Sequence, residues 1–234
     1  MVDVVRRRSR RKTADRSDRR DPLGQAAENY AALGWPVCVG AHLPLDGLKT
    51  GRACSCDRAG RACSCDRVGC PAPGAHPVSP TWQMQATVDT GTIRQWWAAR
   101  PQASVILVTG RVFDVLDVPA AVGAEALAMI EQAGITAGPV AAAGTRMLFF
   151  VTTRGAPVDE DEWWSCRLDC EPENITTQGS LRWHCRDSYV LAPPSAGAAG
   201  AAHWVRDPSD HPLPDALRLL EFLVDACEQA AALP

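Results

Sequence analysis

Three cysteines and a histidine recur at the spacing Cys63-x-Cys65-x4-Cys70-x5-His76. Three thiolates and one imidazole make a complete tetrahedral set for zinc, which takes four nitrogen or sulfur ligands in structural sites. The surrounding stretch is rich in Gly, Pro, Ala and Cys and cannot bury enough apolar surface to order itself. Metal binding would supply that ordering free energy. Residues 51–59 read GRACSCDRA and residues 60–68 read GRACSCDRV, a tandem copy. The copy leaves Cys54 and Cys56 over. They could replace Cys63 and Cys65, bind a second ion with Cys38 or His42, or stay unligated. The expectation is one structural zinc in a loop over 51–77.

The setting decides how the ten cysteines are read. The N-terminus is basic, but no apolar stretch follows it as a secretory signal requires. No run approaches the roughly 18 apolar residues of a membrane span. A cytoplasmic protein with no membrane partner is expected. In a reducing compartment cysteines serve as metal ligands or buried thiols rather than disulfides.

A second candidate for chemistry is the N-terminal arm. Residues 1–24 hold nine basic side chains (Arg6, Arg7, Arg8, Arg10, Arg11, Lys12, Arg16, Arg19 and Arg20) against four aspartates. The rest of the chain carries an acidic excess that brings the whole to −3. Such an arm can contact DNA or another polyanion, or serve as a solvated tail. Residues 1–22 lack apolar periodicity and are expected to be disordered. The acidic body argues against broad nonspecific DNA binding by the domain itself.

Other clusters have simpler readings. Trp96–Trp97 and Trp163–Trp164 could stack on unpaired bases, but one ring of such a pair usually packs in the core. Asp159, Glu160, Asp161 and Glu162 read as a solvated helix start, where the dipole favours acids. Cys166 and Cys170 have no third ligand nearby and read as thiols. Glycine-rich phosphate loops are absent, and no nucleophile–base pair stands at a telling spacing.

These groups must be positioned by the elements around them. Helices are predicted over 23–33, 90–100, 124–133 and 213–232, the last amphipathic through Leu217, Leu220, Val224 and Cys227. Strands are predicted over 35–39, 104–108, 112–118 and 188–192, and a last one over 203–205. A hairpin over 140–142 and 147–152 turns through Gly144-Thr145. Residues 196–202 read as an Ala/Gly linker. Strands outnumber long helices and form hairpins, which favours an α+β domain. Chain organisation is expected as a basic arm over 1–22, a domain over 23–206 and a C-terminal helix over 207–234.

In order along the chain, these pieces resemble the N-terminal domain of bifunctional DNA primase/polymerases of actinobacteria and their phages, a branch of the archaeo-eukaryotic primase superfamily. The resemblance runs from about Gln25 to Trp204. It rests on Ala31-Ala32-Leu33-Gly34-Trp35-Pro36-Val37 and on the cysteine loop ending Cys70-Pro71-Ala72-Pro73-Gly74-Ala75-His76-Pro77. It rests further on the helix with Ile93, Trp96, Trp97 and Pro101, and on Leu107-Val108-Thr109-Gly110 followed by Val115-Leu116-Asp117-Val118. Ser188-Tyr189-Val190-Leu191-Ala192-Pro193-Pro194-Ser195 is similar to the family's closing signature. The resemblance implies a primase/polymerase-type core with an RRM-like sheet. Active relatives join nucleotides on a DNA template with two divalent metal ions. They hold these with an Asp-x-Asp or Asp-x-Glu pair, a hairpin histidine and a further aspartate near the closing strand.

This sequence departs from that pattern three times. Strand positions i and i+2 share a face, whereas i and i+3 do not. Asp117 has Val115 and Pro119 at i−2 and i+2, and Asp114 lies at i−3. Only a bulge would pair the two acids. The hairpin histidine is replaced by Met147, with Arg146 beside it and placed by alternation on the other face. The third position falls within Leu181-Arg182-Trp183-His184-Cys185, which has no carboxylate, with Asp187 the nearest acid. The expected function is therefore a noncatalytic primase/polymerase-like protein that binds DNA, nucleotide or a replication partner. Two alternatives stand beside it. One is a working nucleotidyltransferase with a rearranged site of Asp114, Asp117, His184 and Asp187, which would need magnesium or manganese. The other is a zinc-stapled interaction module.

Overall fold

The computed structural model describes residues 21–44, 63–65, 67, 69–153 and 181–232. The basic arm (Arg6, Arg7, Arg8, Arg10, Arg11 and Lys12), the first cysteine copy and the expectations for 159–170 lie outside them. In chain order the elements are α1 (Pro22–Ala32), β1 (Val37–Gly40), α2 (Trp82–Gln85), α3 (Thr90–Ala99), β2 (Ser104–Val108), β3 (Phe113–Pro119) and α4 (Ala120–Gln132). There follow β4 (Val140–Ala143), β5 (Arg146–Thr152), β6 (Arg182–His184), β7 (Tyr189–Leu191), β8 (Ala196–Gly197), β9 (Gly200–Arg206) and α5 (Ala216–Ala232).

Local chemistry sets the helix ends. Asp21 caps α1 by accepting from the Gly24 N–H at 2.9 Å, and Pro22 fills the first turn, where its missing N–H costs nothing. Gly34, with φ of +78°, takes the left-handed position past its end. Asp89 caps α3 through the Thr92 N–H at 2.7 Å. Asp215 accepts from Leu217 N–H at 3.0 Å, so α5 starts at Ala216 rather than at Leu213.

The strands form two antiparallel sheets, ordered β1–β2–β7 and β6–β3–β5–β4–β9–β8. The fold is thus mixed helix and strand. The stretch expected as a linker is instead paired: β8 and β9 form a hairpin, and β9 begins at Gly200, because its backbone extends β4 and finds partners from Ala143 to Val140. Residues 182–184, assigned no element from sequence, form β6 on the outer side of β3.

Strand β3 is buried on both faces and separates two cores. Phe113 and Val115 face one cluster, shared by both sheets, α1 and α3. Within it Trp35 stacks on Phe150 with centroids 5.3 Å apart and planes 6° apart. Leu116 and Val118 face the other cluster, where α4 and α5 cover the six-stranded sheet through Ile130, Leu219 and Leu223. Burying each of those leucines is worth about 1.5–3 kcal/mol, so the C-terminal helix is part of the core. Trp97 is buried with its Nε1–H on the Ala103 carbonyl at 3.0 Å, whereas Trp96 is half-buried. Among the described residues no helix is long and apolar enough to cross a membrane.

Candidate functional site

The cysteine loop is laced to the end of β1. Ala41 N–H donates to the His76 carbonyl at 2.8 Å, and Ser64 N–H to the His42 carbonyl at 3.0 Å. His42 N–H returns a bond to Ser64 Oγ at 2.9 Å. These contacts bring Cys63, Cys65, Cys70 and His76 together, with their four ligand atoms all within 4.8 Å of one another. A tetrahedral zinc site, with Zn–S of about 2.3 Å, has ligand–ligand edges of roughly 3.7 Å, so the donor set fits a metal ion after a small contraction. Cys63 and Cys65 of the second copy supply it.

The surroundings prepare the loop for that role. His76 Nδ1 lies 2.8 Å from the Pro77 carbonyl, which can only accept, so Nδ1 carries the proton and Nε2 offers its lone pair. That Nε2 lies 3.5 Å from Cys63 Sγ. Gly74 N–H also points at Cys63 Sγ, 3.5 Å away. Gly74 has φ of +77°, and a Cβ there would stand 2.9 Å from the Ala196 carbonyl oxygen, so only glycine fits between loop and β8. Burial pushes the Cys70 thiol up to about 11, helped by its neighbours Cys65 and Cys63. Burial also pushes on Cys65. There, hydrogen bonds from the Arg67 backbone, Cys63 and Cys70 and the Arg67 charge win, and the thiol is held below its ordinary value.

The second cluster centres on Asp117, on β3 between β6 and β5 of the six-stranded sheet. The register Asp117↔Leu148 on β5 and Asp117↔Arg182 on β6 fixes its neighbours. Around it on one face stand Val115, Pro119, Arg146, Leu148, Phe150, Arg182 and His184, none of them a carboxylate. Arg146 Nε donates to Asp117 Oδ1 at 2.6 Å, and Arg146 Nη2 to the Asp117 carbonyl at 2.9 Å. His184 Nε2 lies 3.2 Å from Asp117 Oδ2, and Arg182 Nη1 lies 3.9 Å from the same oxygen. Ser188 Oγ, 3.1 Å from His184 Nδ1, steadies the imidazole. Burial alone would raise the Asp117 carboxyl. The hydrogen bond and charge of His184, with those of Arg146, outweigh it and hold the carboxyl below the usual range.

Asp114 is not brought to this cluster. β3 runs against β5 without a bulge, so Asp114 points to the opposite face and accepts from Trp183 Nε1–H at 3.2 Å. Asp187 sits in the turn after β6 with φ of +61°, its side chain two-thirds exposed and 3.8 Å from Arg186. Of the four residues considered for a rearranged site, only Asp117 and His184 meet.

The expectation for Arg146 is corrected. Gly144, with φ of +62°, and Thr145 form a two-residue loop that pairs Ala143 with Arg146. From that start Arg146 and Leu148 share the face of Asp117, while Met147 packs into the second core against Gly123. Arg182 was missed as a partner. Its signal is the polar–apolar–polar alternation Arg182-Trp183-His184, short enough to pass as loop.

A site for two catalytic divalent ions needs converging carboxylates. Here one carboxylate has two guanidinium groups within 4 Å of it, and cations so placed oppose a further divalent charge. Among the described residues, this donor set does not fit magnesium or manganese.

Comparison with known proteins adds one match. The family model described as bifunctional DNA primase/polymerase, N-terminal, covers residues 27–217, from α1 into α5. No curated protein matches the chain.

Proposed function

The chain belongs to the bifunctional DNA primase/polymerase N-terminal family, and from that premise we propose that it is a noncatalytic member that binds DNA, nucleotide or a replication partner. On this reading the six-stranded sheet is the family's RRM-like catalytic sheet, with Asp117 left on its inner strand β3. The observation that carries the reading is the 2.6 Å bond from Arg146 to Asp117, in a face where no second carboxylate stands beside it among the described residues. A guanidinium holds the oxygens that a metal ion would need. The metal loop keeps its role: we read it as a structural zinc site, because three sulfurs and an Nε2 suit zinc better than a hard cation.

The test is primer synthesis and extension on single-stranded DNA with magnesium or manganese, comparing wild type with Asp117→Ala. No product from either folded, zinc-loaded protein is expected. Product from wild type that disappears in Asp117→Ala would establish a working nucleotidyltransferase and sink the reading.

A further inference from the structure

The half-exposed Trp96 faces a cavity of about 720 Å³, enclosed by β1, the metal loop and helices α2 and α3. None of its lining residues belongs to the six-stranded sheet that carries Asp117. The volume is typical of a small-molecule site. Trp82 and Trp96 supply two indole rings, Gln85 an amide, and Arg100 a guanidinium, and none of the described lining residues is acidic. His42 and Ser64 close it from the metal-loop side.

Trp82 packs edge-on against Tyr189 and Trp96 against Trp97, and three features point to a ligand beside that packing. The indole N–H groups of Trp97, Trp183 and Trp204 each donate to a protein acceptor. Those of Trp82 and Trp96 have no protein acceptor among the described residues. Arg100, just past the end of α3, likewise has no carboxylate partner among the described residues, in contrast to Arg94 within α3, which pairs with Glu28 at 2.7 Å. Finally, Ser64 lies between the ligands Cys63 and Cys65 and is bonded in both directions to the His42 backbone. Folding of the metal loop therefore builds one wall of the cavity.

We propose that this cavity holds one unpaired nucleotide, its base against Trp82 and Trp96 and its phosphate on Arg100. Indole faces stack on any base. A guanidinium gives phosphate paired hydrogen bonds with matching geometry. The nucleotide can be free or part of a single strand, because both present the same base and phosphate. This deepens the binding half of the function proposed above and rests on it. The polymerase assay and the binding test can fail separately, because they address different sheets.

The experiment is a tryptophan-fluorescence titration of the zinc-loaded full chain with dAMP and with a single-stranded 10-mer. Wild type is compared with Trp96→Ala, Arg100→Ala and Arg94→Ala, each checked by circular dichroism. Saturable quenching is expected, weakened about tenfold by Trp96→Ala and by Arg100→Ala and unchanged by Arg94→Ala. Response to both ligands means that a free nucleotide suffices, and response to the 10-mer alone means that the site reads single strands. Arg100 is exposed, so its variant keeps the test valid should Trp96→Ala unfold. Quenching by neither ligand overturns the proposal. So does binding that Arg100→Ala leaves intact, since that would belong to the basic arm.

Discussion

Arg146 grips Asp117 at two points, the carboxylate Oδ1 at 2.6 Å and the backbone carbonyl at 2.9 Å. The pair joins the first residue of β5 to the centre of β3, and Asp117 is 4% exposed. Removing one partner of a buried pair leaves the other charged and poorly solvated. Arg146→Met is therefore expected to destabilise the fold by about 2–4 kcal/mol, the lower figure reflecting the help Asp117 still receives from His184 and Arg182. Urea unfolding measures it. A loss below about 0.5 kcal/mol would mean that the pair is held by packing and carries no structural weight.

The same pair gives stability a pH signature. The folded-state pKa of Asp117 lies below its unfolded value, so the unfolded chain takes up the extra proton and stability rises with pH between the two. The contribution is complete above about pH 5 and is lost as pH falls through and below the usual carboxylate range near 3.9. Asp117→Asn lacks this component. The stability gap between wild type and Asp117→Asn should shrink steadily as pH drops from about 5 to about 2. A gap that stays constant would show that Asp117 titrates normally.

Metal content separates the two cysteine copies. One zinc per chain is expected from the set of Cys63, Cys65, Cys70 and His76, which converges among the described residues. The double variant Cys63→Ser/Cys65→Ser should lose the ion and the order of the loop. Cys54→Ser/Cys56→Ser should keep full stoichiometry by elemental analysis. The opposite result would move the site to the first copy.

Helix α5 is part of the folded unit. Leu219 and Leu223 are fully buried against α4 and the sheet. Truncating either to alanine should cost about 2–5 kcal/mol, as cavity-forming core substitutions do. Leu217, 45% exposed on the same helix, should tolerate alanine within about 0.5 kcal/mol. Equal effects at all three positions would mean that the helix docks differently.

Much of the molecule was readable along the chain. The cysteine and histidine spacing named a four-ligand set, and those four groups do converge. The strand at 113–119 and the tryptophan helix were legible from apolar runs and breakers, and the opposite faces of Asp114 and Asp117 follow from a strand period of two. Local rules of this kind act within one element, so one element's residues suffice to state them. Three features were decided only by the tertiary structure. Arg146 meets Asp117 because a two-residue turn sets the register of β5, and a shift of one residue would have presented Met147 instead. Residues 182–184 become a strand, and the strand predicted over 203–205 reaches back to Gly200, because β3 and β4 offer unpaired edges, a reason that lies outside their own sequence. The cavity beside Trp96 exists because the metal loop folds back onto β1. Pairing, register and loop closure join residues distant in the chain, and no local pattern encodes which partner they meet.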